Sequence, residues 1–222
     1  MLGKAAVAIW CDVEFGIKDE FDDWHAHEHT PERLAIPGFL RGSRWVSTDG
    51  RNSYFMLYEC ESEATVTAGP YLERLNDPTP WSRKMMSRHL NMTRSLCGVE
   101  ASFGAGLAAC LLTLRFSPAP ARAAGLQKWL ASELLPGLPA RKGLVASRLL
   151  RNIAQPGQTA EQKLRGGDAL ADWIVLVNGY SSEALEALAG GELGEAAMIS
   201  RGARPGQISG IYGLAFSMTG AE

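Results

Sequence analysis

The sequence predicts an α+β protein made of two β-α-β-β-α-β units of the ferredoxin-like type. Strand-like and helix-like patterns follow one another in this order over residues 1–105, and the same order returns over residues 106–222. Residues 129–136 (WLASELLP) align without a gap on residues 24–31 (WHAHEHTP), 105 positions earlier. A period this long indicates a duplicated domain rather than an array of short repeats.

The elements of the first unit follow from apolar periodicity and from the turn residues between segments. Thr79 is the expected N-cap of a helix with Pro80 at its first position. Asp49-Gly50 is the expected turn of a hairpin. The predicted elements are strand 5–13, helix 17–29, strand 39–47, strand 54–61, helix 63–75, a helix from 80 to about 91, and strand 95–103.

The second unit repeats these landmarks more loosely. Residues 109–118 repeat the first strand, residues 182–184 (SEA) repeat residues 62–64, and residues 209–218 supply the last strand. The connection from Asn152 to Ala171 is long and rich in glycine, glutamine and charge, whereas the first half has a tight turn there. We expect this connection to be an exposed loop.

Composition excludes several classes of partner. The 222 residues are 46% hydrophobic and 21% charged, with a formal net charge of −2 and no long basic run. These values argue against nucleic acid and membrane surfaces as partners, and no stretch reaches the ~18 apolar residues of a membrane span. The apolar N-terminus reads as a strand rather than a signal peptide. Since the four cysteines lack metal-like spacing, we expect reduced core thiols in a cytoplasmic protein.

The duplication acts as an internal control on which residues carry chemistry. His25, His27 and His29 face leucine or serine at the matching positions of the second half, and all four histidines lie before residue 90. We therefore expect an active site in the N-terminal half. The residues that both halves keep are expected to serve the fold: Trp24 and Trp129, Glu28 and Glu133, Pro31 and Pro136, Gly38 and Gly143.

Two segments of the first half carry a family resemblance. Residues 24–38, with the run EHTPER from Glu28 to Arg33, and residues 76–82 (NDPTPWS) resemble the EthD-like branch of the dimeric α/β-barrel proteins. The resemblance covers residues 5–103, and the second half is a degenerate copy. It implies antiparallel four-stranded sheets that pack face to face as a barrel, usually between two chains. The duplication predicts that one chain builds this barrel as an intramolecular pseudo-dimer, with a further homo-oligomer left open.

The resemblance also implies a pocket between sheet and helices and several possible activities. Family members include cofactor-free monooxygenases, polyketide cyclases, lactone isomerases, small-molecule lyases and haem-binding enzymes, so the fold does not select the reaction. His29 occupies the position of the histidine in the family pattern E-H-x-P-E-R. His25 and His27 are additional to that pattern.

His29 is the candidate general acid/base. Because Pro31 cannot continue the hydrogen-bond ladder, the first helix is expected to end near His29. The negative end of the helix dipole and the neighbouring carboxylates would then raise the pKa of His29 and suit it to proton transfer near neutral pH. The alternative is a structural histidine that caps the helix.

Glu28 and His25 complete the candidate catalytic set. An ideal helix places Glu28 on the apolar stripe of Phe21 and Trp24, where it orients His25, acts as a base, or makes a structural hydrogen bond. His25 and His29 supply only two metal ligands, so no metal site is predicted. His27 is expected to be exposed. His89 could reach the pocket from the second helical region, although a partly exposed helix position is the preferred expectation.

Aromatic residues and one arginine are the candidate substrate contacts. Trp24 and Trp81 would form apolar walls, with Trp81 as a cover in a proline-rich turn. Tyr54 and Tyr58 share a strand face, which looks either at the helices and a ligand or into the barrel. Arg33 either holds a substrate carboxylate or phenolate or, as an exposed side chain, pairs with nearby acids.

Together these features predict a cofactor-independent enzyme that acts on an apolar aromatic or polyketide-like small molecule. The expected chemistry is proton transfer next to a carbonyl or phenol, with a lyase, isomerase or cyclase outcome. A cofactor-free or haem-dependent monooxygenase is one alternative. A non-catalytic binding or accessory protein is the other.

Overall fold

The computed structural model of the chain describes residues 1–49, 53–67, 69–153, 157–164 and 168–220. Its strands are β1 (Ala5–Val13), β2 (Phe39–Ser47), β3 (Ser53–Cys60), β4 (His89–Phe103), β5 (Cys110–Phe116), β6 (Leu144–Asn152), β7 (Trp173–Gly179) and β8 (Ile208–Thr219). Its α-helices are α1 (Lys18–Trp24), α2 (Thr30–Leu34), α3 (Glu63–Thr67), α4 (Gly69–Asn76), α5 (Pro80–Met86), α6 (Ala123–Lys128), α7 (Ala160–Leu164), α8 (Ser182–Gly190) and α9 (Glu195–Arg201). Short 3₁₀ helices span Pro120–Arg122 and Leu135–Ala140, and π-helical turns span His25–His29 and Trp129–Leu134.

The strands form one closed antiparallel sheet in the order β1-β3-β2-β8-β5-β7-β6-β4. Within each half the pairing is the same, because β1 pairs with β3 and β4, and β5 pairs with β7 and β8. The predicted α+β barrel of two ferredoxin-like repeats is confirmed.

The chain forms two compact units. The N-terminal unit comprises Leu2–Gly98, Ile153–Leu170 and Ala215–Glu222. The C-terminal unit comprises Met1, Val99–Asn152 and Ala171–Leu214. The N-terminal unit thus includes most of the connection that follows β6. The repeat boundary at residues 105 and 106 stays a prediction.

In the N-terminal unit, side chains from one sheet face pack against helices. Val7 of β1 lies opposite Tyr58 on β3 and Leu96 on β4, and all three are buried with Tyr71 and Leu75 of α4. A second cluster joins strands β1 and β3 to helices α1 and α5 through Cys11, Tyr54, Met56, Phe21, Trp24, Met85 and Met86. These two clusters flank the space in which the candidate site lies.

The C-terminal unit has a core made largely of leucine. Leu130 and Leu134, at the positions of His25 and His29, are buried in it with Leu126 from the same helical segment. Strand residues Phe116 and Trp173 pack against one another there, with ring centroids 6.1 Å apart. This repeat therefore places hydrocarbon where the first repeat places imidazole.

The first helical segment is longer than predicted and changes its winding. It runs from Lys18 through the π turn His25–His29 to Leu34, so Pro31 does not end it. Proline lacks the N–H that a helix interior needs, but Pro31 lies in the first turn of α2, where that donor is not required. The second repeat has the same arrangement, with Pro136 directly after its π turn.

Three other boundaries differ from the prediction. The helix expected to reach residue 91 ends at Met86, because the chain enters β4 at His89 and pairs with β1 from there. The helix expected over 63–75 divides into α3 and α4, and Gly69 (φ +47°) precedes Pro70 at the start of α4. Thr79 caps α5 as predicted, since its Oγ1 accepts a 2.9 Å bond from Ser82 N.

The connection after β6 is not the exposed loop that composition suggested. Residues 157–164 contain α7, and Thr159 and Glu161 are buried. The expected hairpin turn Asp49-Gly50 lies partly outside the described residues, which resume at Ser53. No helix in the described part of the chain has the length and apolar character needed to cross a membrane.

The expectation of reduced core cysteines is confirmed for three of the four. Cys11, Cys60 and Cys97 are buried and Cys110 is half-buried, each without a disulfide. Burial raises the pKa of Cys97 to about 12 and raises the pKa of Cys60 still further, with Glu59 adding to the effect. These thiols are therefore poor nucleophiles in the folded protein.

Candidate active site

A small cavity lies between the sheet and the helices of the N-terminal unit. Its volume is about 20 Å³, enough for about one water molecule. Its apolar lining comes from Ile9, Met56, Leu75, Met86 and Met92. Its polar and aromatic lining comes from Trp24, His25, His29, Arg33, Tyr58, Tyr71, His89, Arg94 and Glu161.

The π turn decides which side chains reach this cavity. His25 is 0% and His29 is 5% exposed, and their ring centroids are 5.7 Å apart. A π turn advances by roughly 80° per residue instead of 100°, because each hydrogen bond spans one more residue. This smaller step turns His29 onto the apolar stripe of Trp24 and turns Glu28 away from its centre. The ideal-helix placement of Glu28 was wrong for this reason.

His25 is held at both ring nitrogens. Its Nδ1 lies 3.1 Å from Thr30 Oγ1, and its Nε2 lies 3.2 Å from the Tyr58 hydroxyl. Burial lowers the pKa of His25 well below 6.5, and electrostatic interactions with Arg44, His89 and Arg33 lower it further. His25 is therefore a neutral imidazole at neutral pH, linking Thr30 to Tyr58.

His29 lies against Trp24 at the wall of the cavity. Their ring centroids are 4.4 Å apart at an interplanar angle of 35°. The Tyr58 ring lies 6.3 Å from His29 and nearly perpendicular to it, at 69°. Trp24, His29, His25 and Tyr58 thus form one contiguous wall, so of the two faces left open for Tyr58 the structure has the one toward the helices.

Glu28 belongs to a neighbouring hydrogen-bond cluster and not to the cavity. Its Oε1 accepts bonds from Trp24 Nε1 at 3.1 Å, Thr79 Oγ1 at 2.6 Å and Ser82 Oγ at 3.2 Å. Glu28 therefore lies between α5 and the indole of Trp24 and does not orient His25. Thr30 and Tyr58 orient His25 instead.

Arg33 is buried, contrary to the expectation of an exposed side chain. It is 2% exposed, and its Nη2 donates a 2.5 Å bond to Oε1 of Glu161, whose own exposure is 3%. The nearby acids on its own helix are not its partners. Arg33 Nη1 is buried and has no hydrogen-bond partner in the described part of the chain.

A second buried arginine lies in the same cavity. Arg94 Nη2 donates a 2.8 Å bond to the hydroxyl of Tyr71, whose ring lies within 6.0 Å of both guanidinium carbons. His89, expected on an exposed helix face, is buried at the start of β4, where its Nδ1 lies 2.8 Å from Met85 O.

The other candidate residues lie outside the cavity lining. Tyr54 packs on Phe21 with ring centroids 4.5 Å apart, and burial with the nearby Asp22 raises its pKa. Trp81 is half-buried against the α1–α5 cluster. His27 is exposed, as predicted, with Nδ1 3.1 Å from Asp23 O.

Comparison with solved structures identifies the fold. An anthrone oxidase-like protein matches with a TM-score of 0.67 and 12% identity over 99% of this chain and 94% of its own. A candidate monooxygenase from Fusobacterium nucleatum matches with a TM-score of 0.65 and 5% identity over 99% and 96%. Another from Lactobacillus acidophilus matches with a TM-score of 0.61 and 9% identity over 97% and 96%.

This chain has the dimeric α/β-barrel fold. The match spans both repeats, since nearly the whole chain is covered in each comparison. No protein-family profile and no curated protein matches the sequence. At 5–12% identity the similarity concerns the fold of this dimeric α/β-barrel, and its site must be argued from its own residues.

The cavity of this dimeric α/β-barrel does not fit a haem or a metal ion as it stands. Both nitrogens of His25 already face hydroxyl groups, so neither is free to bind a haem iron in this arrangement. Among the described residues, no group of three or more His, Cys, Asp and Glu side chains is placed to hold a metal.

Sequence reasoning missed Arg94, Tyr71 and Glu161. Arg94 follows Met92 by two positions on β4, so strand alternation places both on the same face, and a strand boundary at His89 would have revealed this. Tyr71 follows from the apolar face of α4. Glu161 gave no signal, because it is 128 positions from Arg33 in a segment without periodicity.

Proposed function

We propose that the N-terminal repeat is a cofactor-independent enzyme that transfers a proton next to a carbonyl or phenol of a small apolar compound. The substrate class is aromatic or polyketide-like, and His29 is the general acid/base. The observation that carries this proposal is a buried cavity in which three imidazoles, two tyrosines and two guanidinium groups meet.

His29 and His25 have different roles in this proposal. His29 takes the proton from the substrate because it forms the cavity wall beside Trp24. His25 is neutral and bonded at both nitrogens, so it positions the Tyr58 hydroxyl toward the reacting atoms rather than acting as the base. The pKa of Tyr58 is raised by burial, so its hydroxyl stays protonated, and it can donate to the substrate when His25 carries its proton on Nε2 and donates to the hydroxyl oxygen.

The arginines supply the electrostatic part of the chemistry. Removal of a proton next to a carbonyl or phenol leaves negative charge on oxygen, which fixed donors stabilise best in a dry site. Arg33 and Arg94 are both at most 4% exposed and both line the cavity. Their charges favour the enolate or phenolate over the neutral substrate.

An oxygenase outcome uses the same base. Removal of a proton from anthrone gives a carbanion that O₂ can oxidise, and anthrone plus O₂ yields anthraquinone plus water. This second candidate is favoured by the fold similarity to an anthrone oxidase-like protein and to candidate monooxygenases. The third candidate is a binding protein that sequesters the same class of compound without turnover.

Hydrogen exchange under anaerobic conditions tests the shared first step. Anthrone and benzoylacetone, an aromatic and a β-dicarbonyl carbon acid, are incubated with the protein in D₂O, and deuterium uptake is followed by NMR. We expect exchange above the buffer rate for at least one compound, and a loss of about 10²-fold or more in His29→Gln. Admission of O₂ then separates an oxygenase, which forms anthraquinone, from a lyase or isomerase.

The matched control is His27→Gln on the same π turn. His27 is exposed, so its substitution removes one imidazole and leaves the cavity unchanged. Exchange by His27→Gln should equal that of the wild type. If neither compound exchanges faster than in buffer, or if His29→Gln behaves like His27→Gln, the proposed acid/base role is overturned.

A further inference from the structure

The connection after β6 is anchored onto the N-terminal repeat at several points. Asn76 Oδ1 accepts a 3.0 Å bond from Ala160 N at the start of α7. Thr159 and Gln162 form a capping box, with Gln162 Oε1 2.9 Å from Thr159 N. Further along, Ala169 bonds through its backbone to β4, donating to Met92 O and accepting from Arg94 N, each at 2.9 Å.

These contacts deliver one carboxylate, that of Glu161, into the cavity. Glu161 is the cavity residue that comes from outside residues 1–105, and it bonds Arg33. A buried arginine requires a counter-charge, since an isolated charge in a low-dielectric interior is very costly. Glu161 supplies that counter-charge to Arg33.

In this arrangement, which we call closed because Glu161 lies in the cavity, only one of the two terminal nitrogens of Arg33 makes a hydrogen bond to a described residue. Glu161 accepts from Nη2 of Arg33, and Nη1 has no hydrogen-bond partner in the described ranges. The fork of an arginine matches two oxygens that share one negative charge. The lining also holds two buried arginines and one buried glutamate, so its guanidinium groups outnumber its carboxylates.

We infer that the cavity binds an organic monoanion with two adjacent oxygens, a carboxylate or the enolate of a β-dicarbonyl, which takes the place of Glu161 on Arg33. This inference rests on the proposed function and names its ligand class. The ligand's oxygens occupy both Nη1 and Nη2, and α7 moves away with Glu161. That movement gives the small cavity the room that an aromatic ligand needs.

Glu161 is thereby an internal competitor of the ligand. In the closed state its carboxylate neutralises Arg33 and keeps the cavity at the size of about one water. Removal of its charge should favour an anionic ligand and leave a neutral one of the same shape unaffected. This difference separates anion recognition from a simple loosening of α7, which would admit both ligands.

A matched pair of probes measures that difference. 2-Naphthoate carries the carboxylate, 2-naphthamide is its neutral counterpart, and binding of each is measured by isothermal titration calorimetry. For Glu161→Gln we expect 2-naphthoate to bind about ten- to a hundred-fold more tightly than to the wild type, the range for a hydrogen bond to a charged group. Binding of 2-naphthamide should change by less than about three-fold.

Two further variants locate the effect at Arg33. The double variant Arg33→Gln/Glu161→Gln retains an amide pair in the interior and should lose the preference for 2-naphthoate. Glu73→Gln removes one negative charge from an exposed position of α4 and should bind both probes as the wild type does.

Three results overturn the inference: an unchanged affinity of Glu161→Gln for 2-naphthoate, an equal gain for 2-naphthamide, or no binding of 2-naphthoate to either protein. Failure of the proposed function is recognised separately, by exchange that does not depend on His29. Anion preference without His29-dependent exchange would assign the cavity to binding alone.

Discussion

The indole Nε1 of Trp24 donates a 3.1 Å hydrogen bond to the carboxylate of Glu28, one helical turn further along the same segment. The same oxygen accepts from Thr79 and Ser82, at the start of α5. Glu28 therefore joins two helices and fixes the ring against which His29 lies. Glu133, which occupies the matching position of the second repeat, is exposed. The glutamate therefore joins two helices in the first repeat and is exposed to solvent in the second.

Substitution of Glu28 should lower the free energy of unfolding, because Glu28 has a structural role. Glu28→Ala removes the acceptor of three hydrogen bonds, although Trp24 Nε1 keeps its 3.2 Å bond to Ser82 Oγ, and we expect the free energy of unfolding to fall by about 1–3 kcal/mol. Urea denaturation measures the loss. Glu133→Ala is the matched control, with an expected change within about 0.5 kcal/mol. Equal losses in the two variants would contradict the structural role of Glu28.

His25 should make the protein less stable below neutral pH. Its folded pKa is lowered below 6.5 by burial, so the unfolded chain takes up a proton that the folded protein refuses. The contribution is complete above pH 6.5 and is lost as the pH falls below it, by up to about 1.4 kcal/mol per pH unit. Urea denaturation between pH 5 and 8 measures this slope.

The slope can be assigned to His25 by comparison of variants. His25→Gln should show a smaller decrease in stability between pH 6.5 and 5 than the wild type, whereas His27→Gln should keep the wild-type slope because His27 is exposed. If His25→Gln and the wild type lose stability in parallel, the imidazole is already protonated in the folded protein.

The pair Arg33–Glu161 should be costly to break from one side. Arg33→Met leaves Glu161 as a buried charge without its partner, and we expect a loss of about 3–5 kcal/mol. The double variant Arg33→Met/Glu161→Met should lose less, because no uncompensated charge remains. Thermal or urea unfolding of both variants measures the difference. A double variant less stable than Arg33→Met would be the contrary result.

Gly38 and Gly143 should be intolerant of a side chain. Their φ angles are +89° and +90°, and a Cβ would lie 2.6 Å from Thr65 Oγ1 in the first repeat and 2.7 Å from Ala184 Cβ in the second. We expect Gly38→Ala and Gly143→Ala each to cost about 1–3 kcal/mol in urea unfolding. Gly125→Ala, within α6 and with open space around it, should instead stabilise by about 0.5–1 kcal/mol.

Local patterns predicted the β-α-β-β-α-β order, whereas the closed barrel was predicted from the family resemblance and the duplication. Strands β1 and β2 have the predicted bounds, since apolar alternation and the Pro37-Gly38 turn are short-range signals. The absence of histidine from the second repeat corresponds to a physical difference, because Leu130 and Leu134 lie in an apolar core. Duplication made this inference possible without any second sequence.

The site was less predictable because the π turn and the position of Glu161 leave no periodic pattern in the sequence. Each hydrogen bond of the π turn spans one more residue than in an α-helix, so a fixed 100° step placed Glu28 on the apolar stripe, where the structure does not have it. Pro31 was the available signal, although it was read as a helix end. The partner of Arg33 comes from a segment 128 positions away, and tertiary packing alone brings Glu161 to it.

The ion pair between Arg33 and Glu161 limits which repeats of this chain could be combined in an engineered protein. Two copies of the N-terminal repeat joined as a symmetric assembly would bury Arg33 in each copy without Glu161, because Glu161 lies in the connection after β6, within the second repeat. The second repeat thus supplies the counter-charge for a buried arginine of the first repeat, although it contains no histidine itself.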